Sequence, residues 1–431
     1  MNWIAGRLYN LLVVPSLYVF SFLYSLFNEK VRLGLAGRTT LFEQLGESVL
    51  PTVSRRPRFW IHNSSMGEFE QAKPLVEALR ARFPDCFIAV SFFSPSAYEH
   101  VQDYPYADCL CYLPIDGRRK ASRFLDLIRP DAAIVIRHDI WPNHLLECRK
   151  RHIPTLLVNS SIRHESLLKN PLILEANRFL FGCFDQVLTV SQETVQTFRK
   201  YRLGKARLEA VGDTRYDRVV QRAHEAERIV APLRRMKKQR KGFVMGSTWP
   251  SDEAVLFSAV SKLRQQDRPW MVIVPHEPVE EFLSQIEQQV SGLGLLGHRL
   301  SAVDSGKVKE NDVLIVDRIG IMASLYALGD LAYVGGGFGP GVHNVLEPAA
   351  LGKAVLYGPK CRNSYEAGQL EKRGVGHVVS SDTEICSMLG RLLRNPEEMA
   401  SMGRQAASLM QENVGATQRI VDVIQRLLPA G

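Results

Sequence analysis

The sequence predicts an α/β protein of two Rossmann-like domains facing a central cleft, preceded by an apolar anchor helix. Three observations carry this reading. Short apolar runs alternate with amphipathic stretches in two successive series, the pattern of parallel sheets covered by helices on both faces. The stretch Gly335-Gly-Gly-Phe-Gly-Pro-Gly-Val-His-Asn-Val-Leu-Glu-Pro-Ala-Ala350 follows the apolar run 331–334 and enters a helical pattern. Glycines thus fall where an open sheet binds its ligand. Residues 4–27 are apolar almost throughout, roughly the length of a helix that matches a bilayer core.

The amino-terminal run has Tyr9, Tyr18 and Tyr24 at positions suited to a lipid interface, with Pro15, Arg7 and Asn10 as interruptions. A signal peptide is disfavoured, because no small-x-small cleavage site follows. A buried core helix and a membrane anchor remain; the anchor, one span or a helix lying in the interface, is preferred. Lys30, Arg32 and Arg38 follow, which places the bulk of the protein on the cytoplasmic side and offers cations to acidic headgroups.

The first α/β series follows a polar connection with a short helix at 41–56. Its strands are expected at 58–62, 86–91, 109–113, 132–136, 155–158 and 186–190. Residues 68–82 form an amphipathic helix with Ala72, Leu75, Val76 and Leu79 on one face. Four strand ends carry polar groups: His62-Asn-Ser-Ser-Met-Gly-Glu68, Ser91-Phe-Phe-Ser-Pro-Ser96, Arg137-His-Asp-Ile-Trp-Pro-Asn143 and Asn159-Ser-Ser-Ile-Arg163. Carboxyl ends of neighbouring parallel strands share a rim, so these groups share one candidate cleft. Glu68 keeps two readings, a carboxylate for chemistry or the partner of Ser65 in a capping box. Asp139 likewise either does chemistry or pairs with Arg137 and caps a helix.

The run 233–241 is read as a solvated basic segment at a domain boundary. Second-series strands follow at 242–245, 270–274, 312–316, 331–334 and 354–357. Ser247 and Thr248 end the first of these and either hold a phosphate or cap a helix. Pro348 suits the first helical position, leaving Glu347 outside the helix at its mouth, where it can accept two sugar hydroxyls beside His343 and Asn344. The expected division is an anchor at 1–38, domains at 39–225 and 226–400, and a tail at 401–431 packing back on the first domain.

At 431 residues, with 45% hydrophobic and 23% charged, the chain can build two ordinary cores. The net charge of +9 suits anionic partners, and with no RNA-binding aromatic motif or zinc spacing, nucleic acid is not among them. Seven scattered cysteines read as reduced packing residues.

Taken together, these motifs resemble the 3-deoxy-D-manno-octulosonic acid (Kdo) transferases of lipopolysaccharide synthesis. The resemblance runs from the apolar amino terminus to the last helix. It matches a His-x-x-Ser-x-Gly-Glu pattern at His62, Ser65, Gly67 and Glu68, and a Glu-Leu-Trp-Pro-Asn pattern at 139–143. Ser94-Pro95-Ser96, Asn159, 212–217 and 247–253 match more loosely. The Gly-Gly…Gly-x-His-Asn-x-Leu-Glu block is matched at Gly335, Gly336, Gly341, His343, Asn344 and Glu347.

The resemblance implies a GT-B glycosyltransferase on the cytoplasmic face of the bacterial inner membrane. CMP-Kdo would bind the second domain through Ser247, Thr248, Pro275, His276, Gly320 and the glycines Gly335, Gly336 and Gly337. His343, Asn344, Glu347, Arg215 and Lys360 would complete that donor set. A lipid A precursor would dock on the first domain beside the membrane, through His62, Ser65, Gly67, Ser94, Trp141, Asn143 and Arg163. Glu68 would act as general base, with Asp139 as second catalytic carboxylate, in an inverting transfer without cofactor or metal. The chain departs from the family at Pro275-His-Glu-Pro278, where Pro-Arg-His-Pro is usual, and at Asp139, where glutamate is usual. Two alternatives stay open: a UDP-sugar transferase or epimerase of the same fold, and a membrane-associated scaffold without catalysis.

Overall fold

The computed structural model describes residues 3–101, 103–161, 170–304 and 312–428. It divides into two compact units, 1–218 with 414–431, and 219–413. The first contains strands β1 (Arg58–Asn63), β2 (Phe87–Phe92), β3 (Cys109–Tyr112), β4 (Ala132–Ile136), β5 (Thr155–Ser160), β6 (Gln186–Thr189) and β7 (Arg207–Ala210), all parallel, in the order β3-β2-β1-β4-β5-β6-β7. The second contains β8 (Gly242–Thr248), β9 (Trp270–Pro275), β10 (Gly297–Arg299), β11 (Val313–Ile315), β12 (Leu331–Val334), β13 (Ala354–Tyr357) and β14 (Gly376–Val378), also parallel, in the order β10-β11-β9-β8-β12-β13-β14.

Both sheets are covered on both faces, which is why their central strands read as continuous apolar runs. In β1, Phe59 and Ile61 pack on Phe69, Leu75 and Leu79 of the helix Met66–Arg82 and on Ile420 and Ile424 of the helix Ala416–Leu427. Trp60 points to the other face, against Leu41, Leu45 and Phe124. Strand order reverses between β1 and β4 in the first sheet and between β8 and β12 in the second. At such a switch the crossover helices leave on opposite faces and open a crevice beyond the strand ends. His62 and Asp139 follow one switch; Ser247 and Gly335 follow the other. The expected strands recur with ends shifted by up to three residues, most at β8. Strands β7, β10 and β14 were not anticipated, because three or four residues each carry no readable period.

Three expectations are corrected. The division falls at 218 rather than 225, within the helix Thr214–Lys237. The returning segment is 414–431 rather than 401–431, because the helix Pro396–Asn413 stays with the second unit. There Met399 and Met402 join the core, and Gly403 packs so closely on Gly352 that a Cβ would lie 2.0 Å from its carbonyl oxygen. The basic run is solvated on one face, with Arg234, Arg235 and Lys238 exposed, but it is no linker: it continues the helix Thr214–Lys237. Leu233 and Met236 are buried, Lys237 Nζ lies 2.5 Å from Asp330, and Arg240 lies 2.6 Å from Asp312.

The apolar amino terminus is helical as Trp3–Leu8, a π-turn Tyr9–Val13, and Val14–Ser25. The wider π-turn accommodates Pro15, which has no N–H for the regular ladder. Arg38 is not a lipid-facing cation. It donates to the carbonyls of Gly34, Phe93 and Leu113 at 2.7, 2.7 and 2.8 Å, and burial lowers its pKa to about 10. All seven cysteines are free thiols, five of them buried.

The helix Ala416–Leu427 is held at its start by Asp217, which accepts from the N–H groups of Gly415 and Thr417 at 2.6 and 2.7 Å and from the Thr417 hydroxyl at 2.6 Å. Removing such a cap costs about 1–2 kcal/mol. Asp217→Ala is therefore expected to speed amide hydrogen exchange across 416–427 about 5–30-fold and to leave exchange in 242–400 unchanged.

Candidate functional site

In the first unit, β1 ends at Asn63 and the helix Met66–Arg82 starts two residues after Ser64. Ser65 caps it. The Ser65 hydroxyl accepts from Glu68 N–H at 3.4 Å, and Glu68 Oε2 accepts from the N–H groups of Ser64 and Ser65 at 2.5 and 3.3 Å. The capping box is therefore formed, but only one oxygen of Glu68 is engaged in it. Oε1 accepts no hydrogen bond among the described residues, so a cap and a base are compatible in one side chain.

Behind Glu68 runs a buried relay. Trp60 Nε1–H donates to Ser91 Oγ at 2.8 Å, Ser91 Oγ meets His62 Nδ1 at 2.9 Å, and His62 Nε2 meets Asp139 Oδ2 at 2.9 Å. An ionised Asp139 requires the His62 proton on Nε2, so Ser91 donates to Nδ1. Burial, the largest single effect, would raise the Asp139 pKa, but the bond to His62 and its charge, with hydrogen bonds from Trp141 and Ser64, together hold the carboxyl below its usual range. Glu68 moves the other way. Burial pushes it up and the charge on Asp139 adds to that, against the Ser64 N–H, which lowers it. Two neighbouring carboxyls pushed apart in this way have separate acid–base roles.

Other residues of this rim sort differently from expectation. His62 is 1% exposed and both its nitrogens are used, so it positions Asp139 instead of touching an acceptor. Asn143 is also turned inward: its N–H and side-chain amide donate to Asp116 at 3.1 and 3.3 Å. Trp141 stacks on Phe93 at 4.6 Å. Ser65 and Gly67 are exposed, and Ser94 meets Ser96 through their hydroxyls at 2.9 Å. Arg163 lies outside the described residues. Arg215 lies in the first unit. Its Nε and Nη2 donate to Asp213 at 2.9 and 2.6 Å.

In the second unit the glycine loop is organised by Asp252, fully buried in the first turn of the helix Pro250–Ser261. One carboxylate oxygen accepts from Tyr333 OH and Phe338 N–H at 2.8 and 3.1 Å, the other from Gly336 and Trp249 N–H at 2.7 and 3.0 Å. Two glycines serve backbone packing instead of ligand approach. A Cβ on Gly335 would lie 2.1 Å from the Ser247 carbonyl, and one on Gly337 would lie 2.4 Å from Gly358 N. Gly336 adopts φ 90°, which favours glycine.

Around this loop, Trp249, His276 and His343 form a stack with centroids 4.7 Å and 4.5 Å apart. Trp249 Nε1–H donates to His343 Nε2 at 3.0 Å, so the His343 proton sits on Nδ1; burial, then His276, lowers its pKa. Ser247 has φ 53°, an uncommon conformation for a side-chain-bearing residue, and contacts Met322 two residues after Gly320. The buried Thr248 hydroxyl donates to Glu253 at 2.7 Å and makes no cap bond to a helix N–H among the described residues. Pro275 is buried at the end of β9 beside Thr248. Lys360 Nζ donates to the Gly339 carbonyl at 2.9 Å.

The helix after the loop is Leu346–Ala350, so Pro348 is its third residue and Glu347 lies inside its first turn, not before it. Asn344 explains the early start: its Oδ1 accepts from Leu346 N–H at 3.2 Å while its Nδ2 donates to Glu347 Oε1 at 3.1 Å. The sequence reading missed Asp116, and it did not single out Trp249 or Asp252 within 247–253. Asp116 and Asp252 act on strands or loops far away in sequence.

The family model described as 3-deoxy-D-manno-octulosonic-acid transferase (kdotransferase) matches residues 35–218. The 3-deoxy-D-manno-octulosonic acid transferase of Aquifex aeolicus is 28% identical over 343 residues, covering 79% of this chain and 87% of its own. That of Haemophilus influenzae is 27% identical over 379 residues, covering 86% and 87%. Among solved structures, a UDP-GlcNAc 2-epimerase from Neisseria meningitidis has a TM-score of 0.60 at 13% identity over 85% of this chain and 99% of that one. A glycosyltransferase from Rickettsia africae has 0.55 at 11% identity over 87% and 100%. The two structures establish the GT-B type of fold.

Two expected outcomes follow. Asp139→Asn removes a negative charge beside Glu68, so the Glu68 titration midpoint, followed by carboxyl carbon NMR, moves down toward the ordinary glutamate value; an upward move contradicts the assignment. Asp252→Ala strands four donors, two of them in the glycine loop, in a buried place at about 1–3 kcal/mol each. It is expected to lower the unfolding temperature and to abolish nucleotide binding by calorimetry, while Ser65→Ala leaves nucleotide binding unchanged.

Proposed function

We propose that this chain, a divergent member of the Kdo transferase family, moves Kdo from CMP-Kdo to a lipid A precursor in lipopolysaccharide synthesis. The observation that carries the mechanism is the Glu68–Asp139 pair, with one carboxyl pushed up and its neighbour held down. In the proposed reaction Glu68 Oε1 takes the proton of an acceptor hydroxyl. The resulting oxygen attacks the anomeric carbon of Kdo on the face opposite CMP, the bond to the CMP phosphate breaks, and configuration inverts. A base whose pKa is raised above the ordinary carboxylate range is matched to that step. Burial raises Glu68 most, and Asp139, anchored by His62, adds to it.

The donor is assigned to the second unit. Glu347, oriented by Asn344, accepts the ribose hydroxyls. Ser247, His276 and Lys360, with the amino end of the helix Pro250–Ser261, meet the charge that develops on the leaving phosphate. His276 stands where the family usually has arginine, and its place in the stack with Trp249 and His343 suggests a donor-facing role kept by different chemistry. The reaction as proposed needs no metal. Membrane association, on the cytoplasmic face, is assigned to residues 6–25, a helix with mean hydropathy 1.4.

The direct test is incubation of the full-length protein in detergent with CMP-Kdo and a lipid A precursor. Transfer with inverted anomeric configuration and tighter binding of CMP than UDP are expected. Tighter binding of UDP would favour the UDP-sugar alternative, and absence of transfer with intact CMP binding would favour the scaffold.

A further inference from the structure

Exposure along the amino-terminal helix has a period. Gly6, Tyr9, Asn10, Val14, Leu17, Tyr18, Ser21 and Ser25 are covered or half-covered, and nearly all residues between them are exposed. Steps of three and four mark one helix face. That face lies against the first unit along its length. A Cβ on Gly6 would meet Phe179 at 3.8 Å, Tyr9 OH donates to Asp116 at 2.7 Å, and Tyr18 OH donates to the Ile115 carbonyl at 3.3 Å. Lys120 Nζ lies 4.8 Å from the centre of the Tyr18 ring.

Tyr9 and Tyr18 are about 13 Å apart along a helix axis, yet both bond to adjacent residues of one loop. A helix crossing a bilayer about 30 Å thick leaves its soluble unit behind; this one has the unit along its flank. The loop continues into Arg118, Arg119 and Lys120, all exposed. Three cations beside the middle of the helix cannot enter a hydrocarbon core without large cost, but they suit a headgroup layer. The uncovered faces are apolar, with Leu12, Phe20 and Phe27 58%, 65% and 88% exposed. The covering unit takes the place of the polar face that an isolated interfacial helix needs.

We propose that residues 6–27 lie in the plane of an anionic lipid bilayer as a monotopic anchor, with Arg118, Arg119 and Lys120 on its headgroups. The proposal rests on the membrane part of the reading above and not on the transfer chemistry. It is tested with the full-length protein carrying Cys361→Ser and Cys386→Ser, labelled with an environment-sensitive fluorophore at Leu12→Cys, Phe20→Cys or Phe27→Cys. The labelled proteins are bound to phosphatidylethanolamine–phosphatidylglycerol vesicles containing brominated lipids. The three labels are expected at one shallow depth, about 5–10 Å into the headgroup–acyl boundary. A Phe20 label at the bilayer centre with shallow labels on either side overturns the proposal, as does absence of quenching at all three.

The triple change Arg118→Gln, Arg119→Gln, Lys120→Gln is expected to weaken binding to these vesicles about 100-fold and to leave binding to neutral vesicles unchanged. Equal affinity of wild type and triple variant for the anionic vesicles overturns the headgroup assignment. Transfer to a detergent-solubilised acceptor reads the catalytic proposal separately, so the two can fail independently.

Discussion

Each sheet reverses its strand order, between β1 and β4 in one and between β8 and β12 in the other, and the chain emerging there has backbone N–H groups with no neighbouring strand to satisfy them. Buried donors of this kind must be paired. In the second unit the solution is one carboxylate. Asp252, at the start of the helix following β8, collects the N–H groups of Gly336 and Phe338 from the loop after β12. That bond set fixes where the glycine loop lies, and the loop carries the chain to His343, Asn344 and Glu347. In the first unit Glu68 does the same, accepting from the N–H groups of Ser64 and Ser65 in the turn between β1 and its helix, with the relay from Trp60 through Ser91 and His62 to Asp139 beside it. Both candidate sites are consequences of the same topological constraint, met with different side chains.

This accounts for what was legible in the sequence. The buried strands announced themselves as apolar runs, and polar residues at strand ends marked the rims. Glu68 and Glu347 could be found because local patterns, a capping box and a glycine–histidine–asparagine turn, surround them. Asp252 and Asp116 were not legible as organisers because their partners lie 84 and 27 residues away in the chain. Arg38 was misread for a related reason. Its charge suggested a lipid headgroup, while its partners are three carbonyls, two of them brought from β2 and β3 only by folding. Glycines misled in a different direction: permissive backbone suggested ligand approach, but Gly335 and Gly337 are there because Ser247 and Gly358 leave no room for a Cβ.

The apolar amino-terminal helix and the rim proposed to meet an acceptor are also connected by side chains. Asp116 accepts from Tyr9 on the apolar helix and from Asn143 and His144 at the start of the helix Pro142–Lys150, directly after Trp141. A buried carboxylate with four donors makes this junction stiff, so the part of the protein proposed to meet lipid is held in register with the rim proposed to meet a lipid-borne acceptor.

The central claim is a division of labour, with the base at Glu68 in one unit and nucleotide recognition at Glu347 in the other. It is tested most directly by comparing steady-state kinetics of Glu68→Gln and Glu347→Gln in one transfer assay. Glu68→Gln is expected to lower kcat by about 10²–10⁴-fold with the donor KM little changed. Glu347→Gln is expected to raise the donor KM about 10–100-fold, the loss of charged hydrogen bonds to the ribose, with kcat largely kept. A Glu68→Gln enzyme as active as wild type, or two variants that change the same parameter, would contradict the account.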